Sequence, residues 1–474
     1  MRIGGVSYVI RPDYRQRFLL PPDLDDWVSR DHPVRFVRDF VLSLDLDELS
    51  FKQPSGDEGR PAYAAELLLS IWLFGWMERV RSSRSLEKAC RRDVAFLWLT
   101  GNLHPDHNTI WRFFKDNRSA LRKLFKKVVQ VAVKAGLVGF ALHALDGTKI
   151  AAASSMDTTL HRKNLEKKLK KIDALIEKQL KEVEAAQAAE NESYAMPEAM
   201  QNVEERRKKI QESLRQLDEH DTNHVHPRET EARVMKTRTH RTLGYNAQAV
   251  VDEKSDLIVA VDVVSDQADS NLLTAMLSTT EETAGRIADE TVADKGYHNG
   301  TEIARAETRN QPVIVAIPDE AEVKGEYRKS RFRYDCEQDG YVCPRGELLT
   351  LQGRTTPTKK RPQLLMIYRC YNRDCPERGQ CTKDAKGRTI KRSPFDDAVA
   401  RQREKQAAPE KQDLLRRRKA IVEHIFGIQK QHDGFRRFTM RGREKALTQY
   451  ALLASAMNLR KLLPHWLAGE LVWG

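Results

Sequence analysis

Residues 160 to about 220 limit most strongly what this chain can fold into. "LEKKLKKIDALIEKQLKEVEAAQ" repeats Leu165, Leu169, Ile172, Ile176, Leu180 and Val183 close to heptad spacing. "VEERRKKIQESLRQL" resumes with Val203, Ile210, Leu214 and Leu217 after a break at Pro197. The pattern predicts two long helices folded back on each other. On either side the apolar period becomes that of strands, "FALHALDGTKIAAASS" before and "GYNAQAVVDEKSDLIVAVDVVSD" after. A charged helical hairpin between strands of one core reads as an insertion, and its mixed charges read as a solvated face.

The core pattern then continues. A helix is expected at 271 to 285, short strands in "ADETVADKGYHNG" and "QPVIVAIP", and a helix between them in "GTEIARAET". Residues 318 to 395 change character, with more Cys, Arg, Gly and Pro and no long periodic segment. Helices return from about 411. Residues 1 to about 140 read as helical, with apolar stripes in "HPVRFVRDFVLSL" and "PAYAAELLLSIWLFGWMERV". The expected fold class is therefore α/β, a mixed-sheet core interrupted twice and preceded by an all-α domain. The expected divisions are 1–138, 139–317 (with the hairpin insertion at 157–232), 318–395 and 396–474.

Three short helical pieces, "SLEKACRRD", "VAFLWLTG" and "DHNTIWRFFKDN", follow one another in the N-terminal part, with Asp106 or Asn108 as cap of the last. They resemble a helix-turn-helix arrangement. Arg79, Arg81, Arg84, Arg91, Arg92, Arg112, Lys115 and Arg118 would supply phosphate contacts; the plainer alternative is a helical bundle with a solvated face. The formal net charge of +13 favours an anionic partner, nucleic acid before a membrane surface. The N-terminal "MRIGGVSYVIRPDYRQRF" has no apolar h-region, and "YAAELLLSIWLFGWM" is too short to span a bilayer. The expectation is a soluble, cytoplasmic, nucleoid-associated protein with no membrane partner.

Of six cysteines, Cys90 stands alone and five lie between 336 and 381. This clustering points to a metal site rather than to disulfides. Cys343, Cys370, Cys375 and Cys381 would fill the tetrahedron of one structural Zn2+, with Cys336 as substitute. The alternative is a set of free thiols in a small β-rich insert.

Three acids stand out by position. Asp146 is read as the end of a strand, with Gly147 as a turn. Asp294 ends another strand. Glu423 sits in "RRRKAIVEHIFGIQKQHDGFRRF", with Lys430 two turns on and roughly on the same face. Converging carboxylates are what a pair of divalent metals about 3.5–4 Å apart requires. The basic residues around Glu423 would hold the flanking phosphates. The alternative is an amphipathic helix with a solvated acid.

These stretches resemble the DDE transposases of bacterial insertion sequences. "LDGTKI" is similar to the segment of the first catalytic Asp, and "ADKGYHN" to the Asp-x-Gly-Tyr form of the second. "IVEHIFGIQKQHDGFRRFTMRGREKALTQYALLASAMNLRKLL" is similar to the C-terminal block with the catalytic Glu. "RPAYAAELLLSIWLFGWMERVRSSRSLEKACRRDVAFLWLTGNLHPDHNTIWRFFKDN" resembles the N-terminal helical domain of this branch. The resemblance implies an RNase H-like core with Asp146, Asp294 and Glu423 as catalytic metal ligands for two Mg2+ (or Mn2+). It also implies cleavage at transposon ends, strand transfer into target DNA, and a homodimer on double-stranded DNA. Relatives carry Tyr-x2-Arg-x3-Glu-x6-Lys around the Glu. Here Lys430 keeps its place, Arg416 stands at the Tyr position and Lys419 at the Arg position. Lys lacks the fork of Arg, so Arg418 is an alternative phosphate contact to Lys419. Rival readings are an RNase H-like nuclease without strand transfer, a decayed DNA-binding protein, and an interaction scaffold.

Overall fold

Local signals set the helices of the first part of the chain. The computed structural model describes residues 23–52, 62–187, 198–237, 239–318, 327–358 and 363–471. The N-terminal 22 residues, the break at Pro197 and the side chains of Leu180 and Val183 lie outside the described residues. The chain divides into two units, Met1–Ala120 with Leu459–Gly474, and Leu121–Asn458. The helical unit thus ends before 138 and takes back the last 16 residues, a return that sequence periodicity does not reveal.

In the first unit, α1 (Pro33–Leu42) starts with proline in its first turn, and the His32 side chain caps it. Helix α2 (Ala65–Met77) is buried from Leu68 to Met77, so it is a central core helix rather than a striped one. Helices α3 (Ser83–Arg92), α4 (Val94–Thr100) and α5 (His107–Asp116) form the expected trio. Asp106, not Asn108, caps α5: its Oδ1 accepts from the backbone N–H groups of Asn108 (2.8 Å) and Thr109 (3.0 Å). The Trp72 indole donates to the Ile110 carbonyl at 3.1 Å, tying α2 to α5. The returning C-terminus packs Trp466 on Phe36 with ring centroids 5.7 Å apart, and Arg460 donates to the last carbonyls of α2.

The second unit begins in α6 (Arg118–Lys134) and carries a six-stranded sheet. Its strands are β1 (Leu142–Ala151), β4 (Arg233–Lys236), β5 (Arg241–Asp252), β6 (Ile258–Val264), β7 (Glu290–Ala293) and β8 (Val313–Val315). β1 pairs antiparallel with β5 and parallel with β7, and β7 pairs parallel with β8. β4 and β6 share the other edge of β5, both antiparallel. The main order is therefore β6-β5-β1-β7-β8. Helices α9 (Leu273–Ala284) and α10 (Gly300–Thr308) link the later strands, close to the expected spans.

Between β1 and β4 run β2 (Leu160–His161), α7 (Arg162–Gln187), α8 (Glu198–Glu219) and β3 (His224–Val225). β2 pairs antiparallel with β3 at the base, where Leu165, Leu217 and Val225 form a small core with Ile210 and Leu214. After β8 come five short strands in one antiparallel sheet: β9 (Arg333–Asp335), β10 (Gly340–Val342), β11 (Leu348–Arg354), β12 (Met366–Arg369) and β13 (Thr389–Arg392). A single-turn helix, α11 (Arg378–Cys381), lies between the last two. Tyr341, Leu349, Tyr368 and Ile390 form their core.

The chain then enters α12 (Asp396–Ala407), α13 (Pro409–Gly427), a π-helical turn at Ile428–His432, and α14 (Arg443–Leu467). Ile421, Val422 and Ile425 are the buried residues of α13. Among the described residues, no helix is long and apolar enough to cross a membrane.

Candidate active site

Parallel pairing of β1 with β7 brings two distant carboxylates together. Leu145 lies opposite Ala293, so Asp146 and Asp294 are the next residues along neighbouring strands and share one face of the sheet. One oxygen of each is committed to backbone. Asp146 Oδ1 accepts from the Gly147 N–H at 2.7 Å, and Asp294 Oδ1 accepts from the Gly296 N–H at 2.7 Å. The second bond caps the tight 3-10 turn Lys295–Tyr297, where a Cβ on Gly296 would lie 2.8 Å from that same Asp294 oxygen. The Asp-x-Gly spacing follows from that fit.

Asp146 does not end its strand. β1 runs on to Ala151, and Gly147 is an in-strand residue opposite Gln248, not a turn. Its missing side chain has another cause. A Cβ there would meet Gln248 Nε2 at 2.3 Å, Asp269 Oδ1 at 2.9 Å and Asn246 Oδ1 at 3.0 Å. These groups form a largely buried polar network. Asp269 Oδ1 accepts from Asn246 (2.6 Å), Gln248 (2.8 Å) and Lys149 (3.3 Å). The buried Tyr297 hydroxyl donates to Gln248 Oε1, linking the Asp-x-Gly-Tyr turn to β5. Sequence reasoning passed over Asp269, Asn246 and Gln248, and met Tyr297 only as part of the Asp-x-Gly-Tyr form. The available signal was Asn246 and Gln248, two amides at strand period inside an otherwise apolar run.

Helix α13 covers the carboxylate face. Arg418 Nη1 donates to Asp146 Oδ2 at 2.7 Å, in a largely enclosed pair. Lys430, in the π turn, donates to Thr148 Oγ1 two residues along β1. Just beyond, Ala151 and Phe438 are joined by a hydrogen bond of 2.8 Å, so the following segment extends the sheet pairing at the end of β1. Burial pushes the Asp146 carboxyl above the ordinary range; the Arg418 guanidinium pulls against this, and Asp294 adds to the rise. Burial likewise holds the Lys430 ammonium below its usual range, with Arg436 adding to it.

Glu423 lies on α13 between Arg418 and Lys430, but its side chain is 62% exposed and faces Lys419 at 4.0 Å. It does not share an orientation with Lys430, because the π turn adds a residue to the helical ladder and turns Lys430 inward. The structure thus brings together Asp146, Asp294, Arg418 and Lys430, and leaves Glu423 and Lys419 on the solvent side. Among the described residues, no group of three or more His, Cys, Asp or Glu side chains is placed to hold a metal ion. The Asp146–Asp294 pair nonetheless suits a hard cation. Mg2+ is commonly held by one or two carboxylates, with water and substrate phosphate completing its octahedron. A divalent charge would also favour the ionised form of Asp146, which burial opposes.

The cysteine expectation fares less well. All six are free thiols, and Cys336 is exposed. Cys343, Cys370 and Cys381 pack on the core of the small sheet. Cys381 is pushed up mainly by burial, with Cys343, Cys370 and Cys375 within electrostatic reach. Cys343 Sγ accepts from the Arg345 and Glu347 N–H groups at 3.4 and 3.3 Å. Yet these thiols are not arranged as a ligand set, so zinc has no support here.

In the helical unit, Arg91, Arg92 and Arg112 are exposed, as are Arg84 and Lys115. Arg91 is within 3.4 Å of Glu87. Arg81 lies over the Trp76 ring at 5.2 Å, an intramolecular role rather than a free cationic one.

A family model described as a transposase DDE domain matches residues 342–463, and a transposase domain (DUF772) model matches residues 22–116. Two separate segments of the chain are thus similar to transposases. No curated protein matches it. The matched DDE segment includes Arg418, Glu423 and Lys430 but neither Asp146 nor Asp294. The DUF772 segment takes in α1 to α5 of the helical unit.

Proposed function

We propose that this chain is a transposase that cleaves DNA at transposon ends in a divalent-metal-dependent reaction and transfers the freed 3′-hydroxyl to target DNA, using an RNase H-like core. The observation that carries the reading is the adjacency of Asp146 on β1 and Asp294 at the end of parallel β7, with Arg418 and Glu423 on the helix over them and Lys430 in the π turn that follows it. The strand order β6-β5-β1-β7-β8, with only the last three parallel, supports the core assignment. Asp146 and Asp294 would hold Mg2+ or Mn2+, with Glu423 turning in from α13 as the third carboxylate when DNA is bound. Bound there, a pair of metals would lower the pKa of attacking water and steady the leaving oxygen. Lys430, anchored on Thr148, holds a phosphate beside the reacting one. Arg91, Arg92 and Arg112 bind backbone phosphates of the end sequence. The acting species is a homodimer carrying two ends.

The test is cleavage and joining of a labelled transposon-end duplex in Mg2+ or Mn2+. Asp146→Asn, Asp294→Asn and Glu423→Gln should each fold, bind DNA and lose both steps by at least about two orders of magnitude. Combining them should cost little more, since they act as a unit. Cleavage without joined products would favour a nuclease. Parental activity in Glu423→Gln would remove that residue from the site and leave it a solvated helix acid.

A further inference from the structure

The charge balance around Asp146 raises a question that the proposed reaction does not answer. Two carboxylates sit side by side, and one oxygen of each is already bonded to a backbone N–H group. The other oxygen of Asp146, Oδ2, faces Arg418 instead of backbone, and the two carboxylates would both be needed to hold a cation. Arg418 Nη1 lies 2.7 Å from that oxygen, with the arginine side chain 15% exposed and the aspartate 20%. A guanidinium and a divalent cation cannot occupy the same approach, and their like charges repel strongly in such an enclosed place.

The rest of α13 argues that the side chain, not the helix, would give way. Ile421, Val422 and Ile425 are buried. Lys411 bonds Glu290 at 2.5 Å, and Arg417 pairs with Glu253. Arg418 has no such second anchor: among the described residues, Asp146 is its hydrogen-bond partner. Once displaced, its five N–H donors would need other acceptors. Arg416 and Lys419 beside it are exposed, so the released guanidinium would join a cationic surface suited to phosphate.

We propose that Arg418 and a divalent cation are alternative partners of Asp146, and that metal entry transfers the Arg418 guanidinium from Asp146 to a DNA phosphate. Metal and DNA are then coupled through one side chain: each makes binding of the other more favourable. Arg418 is a positioning residue whose place depends on whether the carboxylates are already neutralised. The inference rests on the reading of Asp146 and Asp294 as metal ligands.

The experiment measures Mn2+ binding to the full chain by electron paramagnetic resonance of free Mn2+, with no activity readout. It compares the parent with Arg418→Gln, Arg418→Lys and Asp146→Asn. Without DNA, Arg418→Gln should bind Mn2+ at least about tenfold more tightly than the parent, because the competing charge is gone. Arg418→Lys keeps the charge and should stay near the parent. Mn2+ should tighten parental binding to an end duplex, and this coupling should vanish in Arg418→Gln, whose salt slope should fall by about one. Equal Mn2+ affinity in parent and Arg418→Gln, with Asp146→Asn impaired, overturns the exchange while leaving the metal site intact. Tighter binding in Arg418→Lys as well also overturns it, since charge would not be the competitor. If Asp146→Asn binds Mn2+ like the parent, the underlying metal assignment itself fails.

Discussion

Gly147→Ala tests the finding that this glycine serves close approach inside a strand rather than a turn. The added methyl would lie 2.3 Å from Gln248 Nε2, with Asp269 Oδ1 and Asn246 Oδ1 at 2.9 and 3.0 Å. Gln248 is a flexible side chain by type but not in place. It is fully buried, donates to Asn246 at 2.9 Å and Asp269 at 2.8 Å, and accepts from Tyr297. Forced overpacking costs about 1–3 kcal/mol, and each displaced hydrogen bond about 1 kcal/mol more. The lower chain entropy of alanine returns about 0.5–1 kcal/mol. The net expectation is a loss of about 2–4 kcal/mol. Urea unfolding of the full chain followed by far-ultraviolet circular dichroism should show a lower midpoint. Hydrogen exchange should quicken first in the peptides covering β1 and β5. Because Asp146 is the preceding residue, a shift of about 1 Å in its carboxylate would also cost about a hundredfold in end cleavage. The double variant Gly147→Ala/Gln248→Ala removes the closest contact and should lose at least about 1 kcal/mol less than the sum of its parts. A parental midpoint for Gly147→Ala, or strict additivity in the double variant, would refute the close-packing argument.

Other outcomes follow from the same geometry. Tyr297→Phe removes the hydroxyl that satisfies buried Gln248 Oε1 and should cost about 1–3 kcal/mol by denaturant titration. Asp146 has a raised folded pKa, so the stability it contributes is full below its unfolded pKa and is lost as pH rises through the folded value. Asp146→Asn should therefore gain on the parent in stability as pH rises through that window, read from unfolding midpoints across a pH series without metal; a gap independent of pH would contradict this. Replacing Arg91, Arg92 and Arg112 together by Ala should weaken binding to end DNA and lower the salt slope by about one per lost phosphate contact. An unchanged slope would mean that these exposed side chains do not meet phosphates.

Much of this architecture was legible because it is written in local periodicity. The heptad-like spacing from Leu165 to Leu217 marked α7 and α8, the pair Asp106 and Asn108 marked the start of α5, and the apolar runs around "DEKSD" marked β5 and β6. Such signals depend on neighbours a few residues away, which the chain itself supplies. The site depends on contacts between residues far apart in the chain, and there the linear reading reached only part way. It singled out Asp146 and Asp294, but their adjacency is decided by the β1–β7 register. It took Gly147 for a turn because the crowding by Asn246, Gln248 and Asp269 exists only once β5 and the Asp269 loop are in place. It read Glu423 and Lys430 as one face because helical spacing assumes a regular helix. The π turn at Ile428–His432 breaks that assumption and brings Lys430 to Thr148, while Arg418 is the α13 side chain that reaches Asp146. Periodicity tells which face of an element is apolar. Which charged side chain meets which carboxylate is settled by strand register and helix rotation, where small changes re-aim every side chain.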